Sequence, residues 1–287
     1  MSFSNDADKF ITSIFTNRFD KGSSREFGVV DTAIVTLLSA MVDKVDTMQF
    51  LNNNKHPSEI NTIFRTLIEQ HFYIAYVFQK YTDQRARAYF IHERYEELDK
   101  VKILILKISD RKLSESIEKS VNKMISKSTS KDRSLDEALQ RYKSEYNSLF
   151  DSARKRNGGR RIPGTKTKNQ FKWFNTNFDG INSIFDLAQS IGEEDLYHTM
   201  YRLLSMDVHG VDLPANVHVE NIIDPHRNIA MIALNVGSDS TSSVDYAIAL
   251  TMQSIQKVAK YYNMGATKAY RDLGAKYKIG IELRRSL

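Results

Sequence analysis

Arg202 and His209 stand seven residues apart in the stretch Leu196 to Gly210, which reads LYHTMYRLLSMDVHG. On a helix of about 3.6 residues per turn, seven residues return a side chain to the same face two turns on, with Cα atoms about 10 Å apart. Flexible side chains at that spacing can converge on one phosphate. A phosphodiester under attack needs a cation for its developing charge and a group that moves protons near neutrality. A guanidinium and an imidazole suit those two tasks. On a wheel of about 100° per residue, Ser205 and His198 share the polar face with Arg202 and His209, and Tyr201 borders it. Leu196, Tyr197, Met200, Leu203, Leu204 and Val208 gather on a broad apolar face that has to be buried. Asp207 falls toward the apolar side, so either the helix ends near Met206 or the aspartate is buried with a partner. Any amphipathic helix turns a polar face to water, so the same stripe also reads as ordinary solvated surface.

A second segment, Pro57 to Lys80, offers complementary groups. Ile60, Ile63, Phe64, Leu67, Ile68, Ile74 and Phe78 form its apolar face, while Thr62, Arg65, Glu69 and Tyr76 share the other. Arg65 and Glu69 are four apart and can pair along the helix. Left in solvent, such a bridge contributes roughly 0 to 1 kcal/mol. Packed against the Tyr201, Ser205 and His209 stripe, it would form a polar cleft in which Glu69 orients a base or stabilises its cation.

Other chemistries fall away. With no cysteine, thiol catalysis, iron–sulfur clusters and cysteine zinc sites are excluded. No GxGxxG, phosphate-binding glycine loop, GxSxG or HExxH pattern occurs, which removes dinucleotide, nucleotide-hydrolysing, serine-hydrolase and zincin readings. His71, His92, His218 and His226 belong to no metal-ligand spacing and read as structural or surface residues. No cofactor and no metal are expected. The start, MSFSND, argues against a secretory signal, so none is expected, and the longest apolar stretches, such as Ala33 to Val42, fall short of the ~20 residues of a membrane span. A cytoplasmic protein with no membrane partner is expected.

The elements that must position these residues are helical. Only 4 prolines and 12 glycines interrupt 287 residues, and apolar residues recur at three and four rather than at two, which predicts an all-α fold. Helices are expected over 27–49, 57–80, 84–108, 113–127, 134–155, 180–190, 193–208 and 240–263, with a short one over 266–277. Residues 1–25, rich in Ser, Asn and Asp, are expected to be partly disordered. A single helical domain should cover 26–265, followed by a basic tail or short helix over 266–287. The polar, Lys/Ser-rich stretch 109–133 reads as a solvated outrigger helix or a connector. Charge is uneven: Arg154, Lys155, Arg156, Arg160, Arg161, Lys166, Lys168 and Lys172 fall in 19 residues without one acid, and residues 173–225 then carry nine acids against the single base Arg202. A basic loop over 154–172 suits phosphate backbones, because charge neutralisation dominates nucleic-acid affinity. It equally suits folding back over the acidic segment beside it.

FRTLIEQ (Phe64 to Gln70), Trp173-Phe174, the DLAQSIG segment and LYHTMYRLLSMDVHG together resemble an uncharacterised bacterial domain-of-unknown-function family. That family has an arginine and glutamate four apart on an early helix, then a Tyr-x3-Tyr-x3-Ser-x3-His pattern, met here by Tyr197, Tyr201, Ser205 and His209. The resemblance spans roughly Ile60 to Gly210. The helical character and closing histidine also resemble the HEPN superfamily of helical nucleases, whose working motif is an arginine, four to six residues, then a histidine. Arg202 and His209 meet its outer limit, although Leu203 stands where those nucleases commonly carry a polar residue. The resemblance implies a HEPN-like bundle with its core over about 60–210. It further implies a metal-independent endoribonuclease acting in bacterial antiphage defence, abortive infection or as a toxin. In the implied mechanism a ribose 2′-OH attacks the adjacent phosphate, His209 shuttles the proton and Arg202 offsets charge on the phosphorane. Ser205 and Tyr201 orient substrate or imidazole, and Arg65 with Glu69 builds the second wall. RNA, a second copy of the chain in a homodimer or larger homo-oligomer, and a regulatory protein are the implied partners. The competing expectation is a non-catalytic helical interaction or nucleic-acid-binding module in which the Arg/Glu/Ser/His cluster fixes packing.

Overall fold

The computed structural model describes residues 3–19, 26–56, 59–128, 132–156, 172–176, 181–202, 204–205, 217–220, 231–234 and 241–277, with 128, 150–156, 176, 217–220, 231–234 and 241 described by backbone alone. Helices dominate, as the period-3.6 pattern demands. They are α1 (Phe3–Arg18), α2 (Val29–Asn53), α3 (Ile60–Gln79), α4 (Thr82–Lys107), α5 (Arg111–Ser128), α6 (Leu135–Arg156), α7 (Ile184–Ser190), α8 (Glu194–Leu196), α9 (Thr241–Tyr261) and α10 (Lys268–Lys276), with a 3₁₀ turn at Trp173–Thr176. The strands among the described residues form one antiparallel hairpin, β1 (Val217–Glu220) with β2 (Met231–Leu234), in which Val217 faces Leu234 and Glu220 faces Met231. Among the described residues, no helix is long and apolar enough to cross a membrane.

Where one domain over 26–265 is expected, the chain groups into two compact units. The first is Met1–Lys80 with Leu187–Leu287, the second Tyr81–Asp186. In the first unit α3 is central, packed on both α2 and α9, which also touch each other. This explains why α3 buries Ile60, Phe64, Leu67, Ile68, His71, Phe72, Ile74, Ala75, Tyr76 and Val77 around much of its circumference. Each large apolar side chain so buried contributes about 1.5–3 kcal/mol. On α2, the spacing of Leu37, Leu38, Met41, Val42, Val45 and Met48 turns one stripe inward.

The polar start, expected to be partly disordered, instead forms α1 and packs on α2 and α10. Its serines and asparagine mask Phe3, Ala7, Phe10, Ile11 and Ile14, which are buried at helical spacing. Asp31 caps α2 by accepting from the Gly28 N–H at 2.9 Å, and its other oxygen accepts from the Tyr262 hydroxyl at 2.8 Å. One buried carboxylate thereby closes the first turn of α2 and ties it to the end of α9.

In the second unit α4 packs on α6 and on the 3₁₀ turn, and α5 packs on both α4 and α6. Leu98, Ile105, Ile125, Leu135, Ala138 and Tyr142 form its core, with Ile117 and Val121 against them. The stretch read as an outrigger is therefore anchored: Ile117, Val121 and Ile125, each four apart, give α5 a narrow inward stripe beneath its lysines.

Candidate functional site

The first unit brings α3 and the segment after α7 together around four polar side chains. Ser183 and Asp186 open α7 with a reciprocal cap: the Asp186 N–H donates to Ser183 Oγ at 3.0 Å and the Ser183 N–H to Asp186 Oδ2 at 3.0 Å. At the other end of α7, the Gln79 side-chain amide donates to the Ser190 carbonyl. Buried His71 on α3 has Nδ1 3.0 Å from Ser254 Oγ on α9 and Nε2 3.8 Å from Glu193 Oε1. It lies buried between α9 and the start of α8.

Beyond α8 the helix widens. Residues Tyr197–Tyr201 form a π-helical turn, in which the Arg202 N–H donates to the Tyr197 carbonyl five residues back. The wider turn rotates everything after it relative to a strict 100° wheel. Tyr201, expected at the border of the polar face, is consequently buried at 6% exposure.

Its hydroxyl is the centre of the cluster. It accepts from Arg65 Nη2 at 3.0 Å and donates to Glu69 Oε1 at 2.5 Å, while Arg65 and Glu69 approach within 3.3 Å of each other. Arg65 Nε donates to Ser205 Oγ at 2.8 Å, and Ser205 in turn donates to the Tyr201 carbonyl at 2.7 Å. The Arg65 guanidinium lies 5.1 Å from the centre of the Tyr201 ring, and Tyr197 stacks on Tyr201, with 5.2 Å between ring centres and 26° between planes. Burial first, and then the hydrogen bond to the Glu69 carboxylate, push the Tyr201 phenol up to about 12, with Arg65 opposing. At neutral pH the phenol keeps its proton and remains the donor to Glu69.

Arg65, Glu69, Tyr201 and Ser205 thus come together as the shared polar faces imply. Arg202 is exposed and pairs with no other described residue, and His198, four residues before it, is exposed on the same stretch. His209 lies outside the described residues, as do Arg160, Arg161, Lys166 and Lys168. Arg154 and Arg156 end α6, described by backbone alone, and Lys172 is exposed, with its ammonium 6.0 Å from the Phe174 ring centre. Among the described residues no three His, Asp or Glu side chains are grouped to hold a metal ion. Residue spacing alone assigns no task to His198 and places Tyr197 on the apolar face. The signal for the Tyr197 stack was its i, i+4 relation to Tyr201.

Fold and cluster define a helical protein in which an arginine–glutamate pair on a central helix grips a tyrosine–serine pair on a second helical segment. The chain belongs to a family of unknown function (DUF5677), which matches residues 31–221 and so spans all of these positions. No curated protein and no solved structure matches it.

Proposed function

We propose that the protein is a HEPN-like, metal-independent endoribonuclease serving as an effector of bacterial antiphage defence or as a toxin. The observation that carries the reading is the Arg65–Glu69–Tyr201–Ser205 network, which holds rigid the helical stretch that presents Arg202 to solvent. RNA supplies its own 2′-OH nucleophile, so a cation and a proton-transfer group suffice for strand cleavage. Arg202 neutralises charge on the non-bridging oxygens, and His209 takes the 2′-OH proton. The basic residues Arg154, Arg156, Arg160, Arg161, Lys166, Lys168 and Lys172 gather the phosphate backbone. Assembly into a homodimer, RNA as substrate and the defence role follow from the HEPN resemblance.

Arg65, Glu69, Tyr201 and Ser205 direct their hydrogen bonds at one another, so they act as positioning residues rather than as reacting groups. That same closure favours the second reading, a helical interaction module whose cluster fixes packing, since a satisfied polar network rigidifies a fold. Expression of wild type beside His209→Ala, with growth and total RNA integrity followed together, separates the two. Growth arrest and RNA loss confined to wild type support the nuclease, whereas intact RNA and equal growth in both cultures support the module.

A further inference from the structure

We infer that α5 is a docking surface for a second copy of this chain, whose own α5 lies antiparallel on it about a two-fold axis. The inference concerns the second unit alone and stands apart from the nuclease reading.

The helix carries two stripes. Ile117, Val121 and Ile125 belong to the core that α5 shares with α4 and α6. Beside them Asp110, Leu113, Ile117, Ser120, Met124 and Lys127 recur at alternating intervals of three and four, the seam by which one helix pairs with another. Ile117 is half-buried between the stripes, and the other five residues are exposed, Leu113 to 52% and Met124 to 70%. Asp110 Oδ1 accepts from the Lys112 and Leu113 N–H groups at 2.9 and 3.2 Å, which fixes the carboxylate at one end of the seam. The adjoining flank of α4 is apolar as well. Lys102 of α4 reaches Glu118 of α5 at 3.2 Å, and Leu106, one turn beyond Lys102, is 72% exposed. A lone exposed leucine needs no partner, but apolar residues at seam spacing beside a second apolar flank mark a binding face.

The seam is a palindrome, and this selects the occupant. Its intervals read the same in reverse, so a second α5 laid antiparallel sets Leu113 against Met124 of the copy, Ile117 against Ser120, and Asp110 against Lys127. Apolar meets apolar and acid meets base, each pairing made twice by symmetry. A parallel copy would put Asp110 on Asp110 and Lys127 on Lys127, like charge on like. Two neighbouring charged pairs are satisfied within the unit: Arg111 holds Glu115 at 2.8 Å, and Lys102 holds Glu118. The same patch is used by both copies, so the arrangement closes at a dimer.

The test uses full-length protein in analytical ultracentrifugation across the micromolar range. Wild type should sediment with twice the 33.0 kDa of one chain. Leu113→Glu and Met124→Lys each set a charge against an apolar partner in this pairing, so each alone should fall to the mass of a single chain. Both variants should keep the wild-type helix content by circular dichroism, since both positions are exposed and an acid near the start of a helix and a base near its end suit its dipole. An equimolar mixture of the two variants should regain the doubled mass. The introduced acid and base then face each other at one end, and the native Leu113–Met124 pairing remains at the other. A monomeric wild type would overturn the assignment and give the seam to a helix of another protein. A dimer that persists in both single variants would overturn it by placing the copy on a different surface. A mixture that stays monomeric would overturn the antiparallel seating.

Discussion

Each unit is built around an arginine, a carboxylate and a tyrosine, and the two clusters differ in reach. In the second unit Arg141 grips Asp132 through two nitrogens, at 2.9 Å from Nε and 2.6 Å from Nη2, reaches Glu145 at 3.3 Å and lies 4.1 Å from the Tyr142 ring centre. All of these partners fall between residues 132 and 145, so the cluster staples the start of α6 to its own second and third turns. In the first unit Arg65 bonds residues 136 and 140 positions away. One partner, Tyr201, closes a π-helical turn, and the other, Ser205, lies four residues beyond it. The same chemistry staples one helix to its own start in one place and joins two helical segments far apart in sequence in the other.

That contrast sets the order of expected effects. Arg141→Ala leaves the Asp132 carboxylate, 3% exposed, without its cation. It should cost about 3 kcal/mol, the low end for a charge stranded in a protein interior. Because the single tryptophan, Trp173, is buried in this unit, its fluorescence in a urea titration should move to a lower midpoint. An unmoved midpoint would remove Arg141 as the staple. Arg65→Ala should cost less, about 1–2 kcal/mol, because water reaches the pair, whose side chains are 24% and 23% exposed. Its larger signature should be loss of RNA cleavage without loss of helix content by circular dichroism. Full activity in a folded Arg65→Ala protein would break the link between the network and the reactive face.

How much of this was legible in the sequence follows from which forces are local. The spans of α2 to α6 and α9 were readable within about four residues because apolar period and end signals act over a few positions. The Arg65–Glu69 pairing was readable for the same reason, and its docking on Tyr201 and Ser205 followed from matching polar faces. The composition of residues 1–25 concealed α1, since abundant Ser, Asn and Asp outweighed five well-spaced apolar residues. The π turn escaped the wheel, which assumes one step angle throughout, and with it went the burial of Tyr201. The bond from Tyr262 to Asp31 joins residues 231 apart, a relation that no window of sequence contains.

Smaller effects sharpen the comparison. Tyr201→Phe removes the relay while leaving the Arg65–Glu69 and Arg65–Ser205 contacts, and should cost about 1 kcal/mol in urea unfolding. The variant should also change the alkaline limb of stability. With its folded value raised above the ordinary 10.0 to about 12, Tyr201 holds its proton more tightly in the folded state. Its contribution is complete below pH 10 and is lost as pH rises through about 12. Wild type should therefore lose more stability than Tyr201→Phe across that interval, and parallel losses would show that the phenol is not raised. Neutralising Arg160, Arg161, Lys166 and Lys168 should leave unfolding unchanged and reduce the salt dependence of RNA binding by roughly one unit of slope per lost phosphate contact. Unchanged binding with a lowered melting temperature would instead make the loop a clamp on the acidic segment.

The central claim is tested most directly by the chemistry of RNA ends. Full-length wild-type protein, Arg202→Lys and His209→Ala are incubated with single-stranded RNA in the presence of EDTA, and the termini of the products are identified. Wild type should yield 2′,3′-cyclic phosphate and 5′-hydroxyl ends despite the chelator. His209→Ala should be slower by about 10²-fold or more, and Arg202→Lys should also be poor, because an ammonium lacks the planar fork that holds two phosphate oxygens. Cleavage that survives both substitutions, or that stops on chelation, would contradict the account.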